Sequence, residues 1–491
     1  MTPAAGSHRR MLLFRILIYG LVLASAAAQF AIVPIMPVYA HRLGLSGFQQ
    51  GIVLGATGLA MLAVCVPAGA LSDRLGARRL TLYAGLLMAA ALFAQSLAGD
   101  FPLMLCARLA FGAGYGVVWT AGLSWIADAA AGAGGPGHGA SGLGGSVACA
   151  GVGGVAGPAA SGALVQYFGL ATPALATAAG FALITAGLAA LRMPDGPGEP
   201  SAPVGASLRA AISDRAMICT AAAILIAGVT TAVPALLAPA ELHAAGASPG
   251  RIGLDFSIAG MLFALGSMLT ALAGQRALRM MVLCAGMLAL TAALLPAALT
   301  SAPLAVVAML CGTTAARSIL WTVSYPLAAE GARRTGAGHG VVVGSLNGLW
   351  AATAVLGPLA AGLGVEHLSP QAVFGLTEAL CVAVLAATIA LAWWPRRPVR
   401  TAPGVRPHHE PAATAAAAAT ISDAGDPVPA PGRGPSDARQ RLLSSGAARP
   451  RLPRPLTPRA LGGPGAHGRR PVRRPARRIG RQRPHRPPRA G

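Results

Sequence analysis

Between Met11 and Trp394 the chain alternates long apolar runs with short polar segments. A bilayer core of about 30 Å takes roughly 20 apolar residues per helix to cross, because backbone groups in lipid must find their partners within the segment. Twelve runs meet that length, at residues 12–40, 48–70, 80–98, 102–127, 141–166, 171–191, 216–240, 252–273, 280–299, 303–329, 340–365 and 372–394. The pattern predicts an all-α membrane protein with twelve transmembrane helices. Arg9-Arg10 ahead of Met11-Leu12-Leu13, with Ala24-Ser25-Ala26 downstream, resembles an export signal. The apolar stretch runs on to Tyr39, however, so it reads as a retained first helix.

The polar segments orient the spans. With both termini on the cytoplasmic side, Arg9, Arg10, Arg74, Arg78, Arg79, Arg192, Arg209, Arg215, Arg276, Arg279, Arg333 and Arg334 fall inside, and only Arg42 and Arg251 fall in outer loops. That imbalance satisfies the positive-inside rule for a multi-pass protein of the cell's inner membrane. The segment 192–215, with Pro194, Pro197, Pro200 and Pro203 among its residues, reads as a flexible linker. It divides the chain into two six-helix bundles, 1–191 and 216–394.

The two bundles repeat each other. At an offset of 202 residues Pro37 matches Pro239, Ser46 matches Ser248, Gly51 matches Gly253, Gly58 matches Gly260, Arg74 matches Arg276, and Trp119-Thr120 matches Trp321-Thr322. Past the next loop the offset is 200, where Gly157-Pro158 and Gly162 match Gly357-Pro358 and Gly362. Two related halves with a substrate site between them are a recurring plan of secondary transporters.

Composition agrees. Only 11% of residues are charged, against roughly 25% in ordinary soluble domains. The seven cysteines all sit in apolar runs without close pairs, which argues against a zinc site or a disulfide framework. No Gly-rich Lys-Ser/Thr phosphate loop appears, so the chain is not expected to be an enzyme and needs no cofactor beyond an ion gradient, for which protons are the expected choice. All 38 basic residues are arginine, and 21 of them lie after Pro395 among only 4 acidic residues. Residues 395–491 combine Pro, Arg, Gly and Ala with few aliphatic core formers and are expected to be a disordered tail.

Three motifs point to a family. Gly69-Ala-Leu-Ser-Asp73-Arg74-Leu-Gly76-Ala-Arg78-Arg79, after the second span, resembles the signature loop of the major facilitator superfamily, with Ala77 at its third basic position. Arg108 with Gly112, Gly114 and Gly116 is similar to the family's second motif, with Phe111 replacing a polar residue. Gly144, Gly153, Gly157-Pro158 and Ser161-Gly162 in the fifth span follow its antiporter motif, with Ser161 in place of a glycine. The resemblance covers about residues 11–394 and leans towards the drug and metabolite:proton antiporters. It implies the major facilitator fold, with spans 1, 4, 7 and 10 lining a central cavity, and a gating role for the Asp73-Arg74 turn.

The chemistry inside the spans is sparse. An arginine at the middle of a span costs at least about 2.5–3.5 kcal/mol on insertion scales, so it faces a cavity or a partner. Arg108 and Arg317 are the two deep ones. Arg108, Gly112, Tyr115 and Trp119 form one helical stripe, and Arg317, Trp321, Ser324 and Tyr325 another. The resemblance places Trp119 and Trp321 on opposing cavity walls, with Gln29 and Asn347 as further polar candidates. The first span has no acidic residue, which leaves Asp255 and Glu378 as proton-coupling candidates.

The expected function is proton-coupled efflux of a small amphipathic molecule by a monomer in the lipid bilayer. Import or uniport of a polar metabolite is the alternative within transport. A membrane anchor acting through the polybasic tail is the alternative outside it, although no nucleic-acid partner is expected.

Overall fold

The computed structural model describes residues 3–126, 129, 138–191, 193, 214–335 and 339–393. Among these, twelve helices are long and apolar enough to cross a membrane. They are α1 (Pro3–Leu43), α2 (Gly47–Leu75), α3 (Ala77–Ser96), α4 (Phe101–Val117), α5 (His138–Phe168), α6 (Thr172–Leu191), α7 (Arg215–Ala244), α8 (Pro249–Leu272), α9 (Met280–Leu299), α10 (Pro303–Thr335), α11 (His339–His367) and α12 (Pro370–Trp393). The tail after Pro395 and all but a few residues of the 192–215 linker lie outside the described residues, as does Asp128.

Local chemistry sets the helix ends. Ser46 caps α2 in a reciprocal box with Gln49, Asp100 caps α4, Asp214 caps α7 and Ser248 caps α8, each accepting a hydrogen bond from an otherwise unpartnered backbone N–H. The α2–α3 turn needs Gly76, whose φ of 87° suits only a residue without a Cβ, and the next helix starts at Ala77.

Three helices depart from the sequence expectation. The second span continues to Leu75, so Asp73 and Arg74 form its last turn instead of a loop. The tenth runs past 329 to Thr335, because Glu330 pairs with Arg333 and Arg334 reaches Asp214 at 3.1 Å, which fastens the end of α10 to the start of α7. After Val117, α4 passes through a π-helical turn at Val118–Gly122 before continuing to Ile126. Thr120 supports that turn by donating to the carbonyl oxygens of Gly116 and Val117.

The described residues make one compact unit, and its cores show how the halves meet. One apolar core is shared. The first half contributes to it only residues near the face opposite the termini, such as Ile32, Met36, Val53 and Met104, while the second half contributes from α7 to α12. A second core is built from the first half alone, around Phe14, Phe111, Trp125 and Phe181, and a third from the second half alone, around Met217, Ala328 and Leu346. The halves are therefore joined at the face opposite the termini and keep separate cores towards the terminal face.

Glycine makes that junction close. A Cβ at Gly51 would collide with the Pro358 carbonyl, and one at Gly253 would collide with the Pro158 carbonyl, so α2–α11 and α8–α5 cross at backbone contact. Proline opens the fifth helix for a graft. Ser257 of α8 donates to the Val155 carbonyl at 2.6 Å and accepts from the Ala159 N–H at 3.0 Å, standing between two groups that would otherwise bond each other within α5.

Candidate functional site

In the first half, helix packing buries the charge of Arg108 almost completely, at 1% exposure. Its Nη2 donates to Gln29 Oε1 of α1 at 3.3 Å, and its guanidinium lies 5.1 Å from the Phe111 ring centroid. Among the described residues, Nε and Nη1 have no acceptor. Tyr39 and Gln95, both buried, complete this polar pocket, since Tyr39 lies near enough to interact with both Gln95 and Arg108. A buried cation without a carboxylate partner makes the centre of this half electropositive.

The second half answers with Arg317 on α10. Its Nη1 donates to Thr231 Oγ1 of α7 at 2.5 Å, and its guanidinium stands 5.6 Å from the Phe263 centroid. Gln29 and Thr231 are themselves separated by the repeat offset of 202 residues, so each deep arginine is received at the same position of the leading helix in its half. Below Arg317, Trp321 packs edge-on against Trp350 at 4.7 Å and against Tyr325 at 5.4 Å. Tyr325 OH donates to Asn347 Oδ1 at 2.7 Å, and Asn347 is exposed. One wall thus presents a cation, an aromatic group and a hydrogen-bonded amide.

The structure brings together Arg108 with Gln29, Tyr115 with Trp119 at 5.8 Å, and Trp321 with Tyr325 and Asn347. Among the described residues no ring contact joins Trp119 to Trp321; each packs on aromatics of its own half. Trp119 sits inside the π turn, which rotates it relative to a regular helix, whereas Trp321 lies in unbroken α-helix. Sequence reasoning missed Trp350, Thr231, Tyr39 and Gln95. Thr231 was available from the repeat, and Trp350 from its spacing of three residues after Asn347.

The motif residues fall into two groups. Gly112 lies against the Thr57 backbone, and Gly153 and Gly157 lie against the Leu23 and Ala27 carbonyls, so both motifs bring helices into contact. Gly162 and Pro158 instead face α8 across the junction of the halves. Arg78 donates to the Ala189 carbonyl at the end of α6 at 3.1 Å, and Arg79 is exposed. The side chains of Asp73 and Arg74, and the surroundings of Gly69 and Gly144, lie outside the described residues.

The two carboxylate candidates differ. Asp255 is 3% exposed and accepts both of its hydrogen bonds from Arg251 Nε, at 3.0 and 3.2 Å. Glu378 is half-buried on α12.

Twelve helices long and apolar enough to cross a membrane, in two related halves, follow a recurring plan of membrane transporters. The family model of the Major Facilitator Superfamily matches residues 18–354, and the chain belongs to that family. Among solved structures it is similar to a bacterial homologue of the human lysosomal transporter Spinster in an inward-facing, occupied conformation, with a TM-score of 0.63 at 16% identity, covering 80% of this chain and 97% of that one. The nucleoside transporter NupG aligns with a TM-score of 0.62 at 15% identity, covering 78% of this chain and 99% of that one. In sequence, the quinolone resistance protein NorA of Staphylococcus aureus is 27% identical over 97 residues. That stretch is 20% of this chain and spans 25% of the relative's length.

Proposed function

We propose that the protein is a proton-coupled exporter of small amphipathic molecules that carry an aromatic body and a neutral or anionic group. The carrying observation is the wall built by Arg317, Trp321, Tyr325 and Trp350. A guanidinium offers paired donors to a carboxylate or carbonyl, and the rings offer stacking faces. The name of the quinolone-resistance relative supports this reading, because a quinolone joins a planar aromatic body to a carboxylate. The excess of arginines on the terminal face supports a cell-membrane protein with cytoplasmic termini; that it acts as a monomer is part of the proposal. Asp255 is the stronger proton-coupling candidate, being buried beside the junction of the halves on a helix that crosses it.

The test is substrate selection in reconstituted vesicles. A quinolone carboxylate should be transported, and a permanent quaternary ammonium dye should be a poor substrate because two buried arginines oppose it. Dye export undiminished in Arg317→Ala would refute the proposed cavity. Uptake of a nucleoside or another polar metabolite in the opposite direction would favour the import alternative.

A further inference from the structure

The junction on the face opposite the termini, outer in the proposed orientation, is built twice. Gly51 meets the Pro358 carbonyl as Gly253 meets that of Pro158, and Gly362 meets the Gly47 carbonyl as Gly162 meets that of Pro249. Each of these pairs is related by the internal repeat. The symmetry extends to the helix starts. Glu366, in the last turn of α11, accepts the Phe48 N–H of α2 at 3.0 Å and reaches the Ser46 hydroxyl. Gln166, in the last turn of α5, is its repeat mate at an offset of 200. Gln166 Oε1 accepts from the Ser248 hydroxyl at 3.2 Å and lies against Gly250, the repeat mate of Phe48. The two struts match in place and differ in chemistry: one is a carboxylate on a backbone N–H, the other an amide on a serine hydroxyl.

We propose that Glu366 is an acid-responsive latch of the outer gate, a positioning residue that holds the gate shut as a carboxylate, while Gln166 holds the other side whatever the pH. The first N–H groups of a helix lack partners within it, and the positive end of the helix favours an anion there. A charged acceptor makes a bond about twice as strong as a neutral one. Glu366 and its partners belong to opposite halves, so the bonds exist only while the outer face is closed, and Glu366 is exposed, so it exchanges protons with the outer solution. The hydrogen bonds from Ser46 and Phe48 hold the Glu366 carboxyl below its ordinary range, so the latch is at full strength above about pH 4.3 and weakens as pH falls from there towards the lower value of the closed face. Outer acid then favours opening.

The charged surroundings are few. His367, next in α11, acts on Glu366 directly. Of the elements packed against α11, α2 presents the neutral Ser46, Phe48 and Gln49, α7 ends in Glu241 and His243, α10 begins at the uncharged Pro303, and α12 carries Gln371 and, further in, Glu378. His41 and Arg42 close α1 nearby in sequence.

The experiment measures the gate without a substrate, so its outcome is independent of which molecule is transported. Spin labels on the full-length protein, placed by Gly99→Cys and Leu304→Cys in a background without the native cysteines, report the separation of the halves at the outer loops. Between pH 7 and pH 4 the outer-open population should rise about two- to three-fold. Glu366→Gln, which makes both struts amides, should flatten this response, His367→Gln should keep it, and Gln166→Glu should steepen it. A flat profile in the unsubstituted protein, or an unchanged one in Glu366→Gln, would overturn the proposal. If Glu366→Gln fails to insert, Gln166→Glu decides, and an unaltered acid response there would overturn the proposal equally.

Discussion

The central arginines are spent differently in the two halves. Arg108 is sealed among helices and donates to Gln29, whereas Arg317 is held by Thr231 beside an aromatic group that reaches exposed Asn347. In the function proposed above, Arg317 is the arginine that would meet substrate, and Arg108 would set the field around it. Arg317→Ala should abolish substrate-dependent quenching of Trp321 fluorescence, while Arg317→Lys, which keeps the charge and loses the planar fork, should retain part of it. Titrating a quinolone carboxylate into the purified variants would read this directly. Both arginines were legible in the sequence because a charge in a span is conspicuous. Their partners were less so: Gln95 and Tyr39 are ordinary residues until folding sets them beside a guanidinium.

At the scale of the helix, the sequence reveals periodicity and punctuation but not contact. Gly51 and Gly253 stand out only through the repeat, and nothing in one half says that each will meet a proline carbonyl of the other. Gly51→Val or Gly253→Val should cost about 1–3 kcal/mol of the closed outer state through overpacking. Spin-label distances across the outer loops should lengthen, whereas Gly180→Val, at a position with open space, should leave them unchanged. The π turn of α4 was invisible for a related reason. The Trp-Thr pair recurs in α10 without one, so local composition does not select it. Twelve spans were readable because lipid imposes a length, but α2 and α10 outran their apolar runs, since polar ends in water continue a helix for as long as backbone bonding and ion pairs favour it. Asp73 belongs to such an extension. Asp73→Asn is predicted to insert normally and lose most transport, and wild-type uptake rates in that variant would remove the gating role carried by the family resemblance.

For the whole molecule, the shared core near the face opposite the termini and the separate cores of the two halves define which side is joined. The repeat made the two-half plan legible, but which face closes is decided by packing across 200 residues of sequence. Every motif, and every buried charge among the described residues, lies before residue 395. Truncation after Arg400 should therefore leave transport intact, and loss of uptake in a truncated protein that still reaches the membrane would return function to the polybasic tail.

The most direct test of proton-coupled export uses inside-out vesicles containing the full chain and a quinolone carboxylate. With the vesicle interior made acidic, the substrate should accumulate inside against its gradient, and collapsing the pH difference with a protonophore should release it. Accumulation that ignores the pH gradient, or that appears only in right-side-out vesicles, would contradict the account.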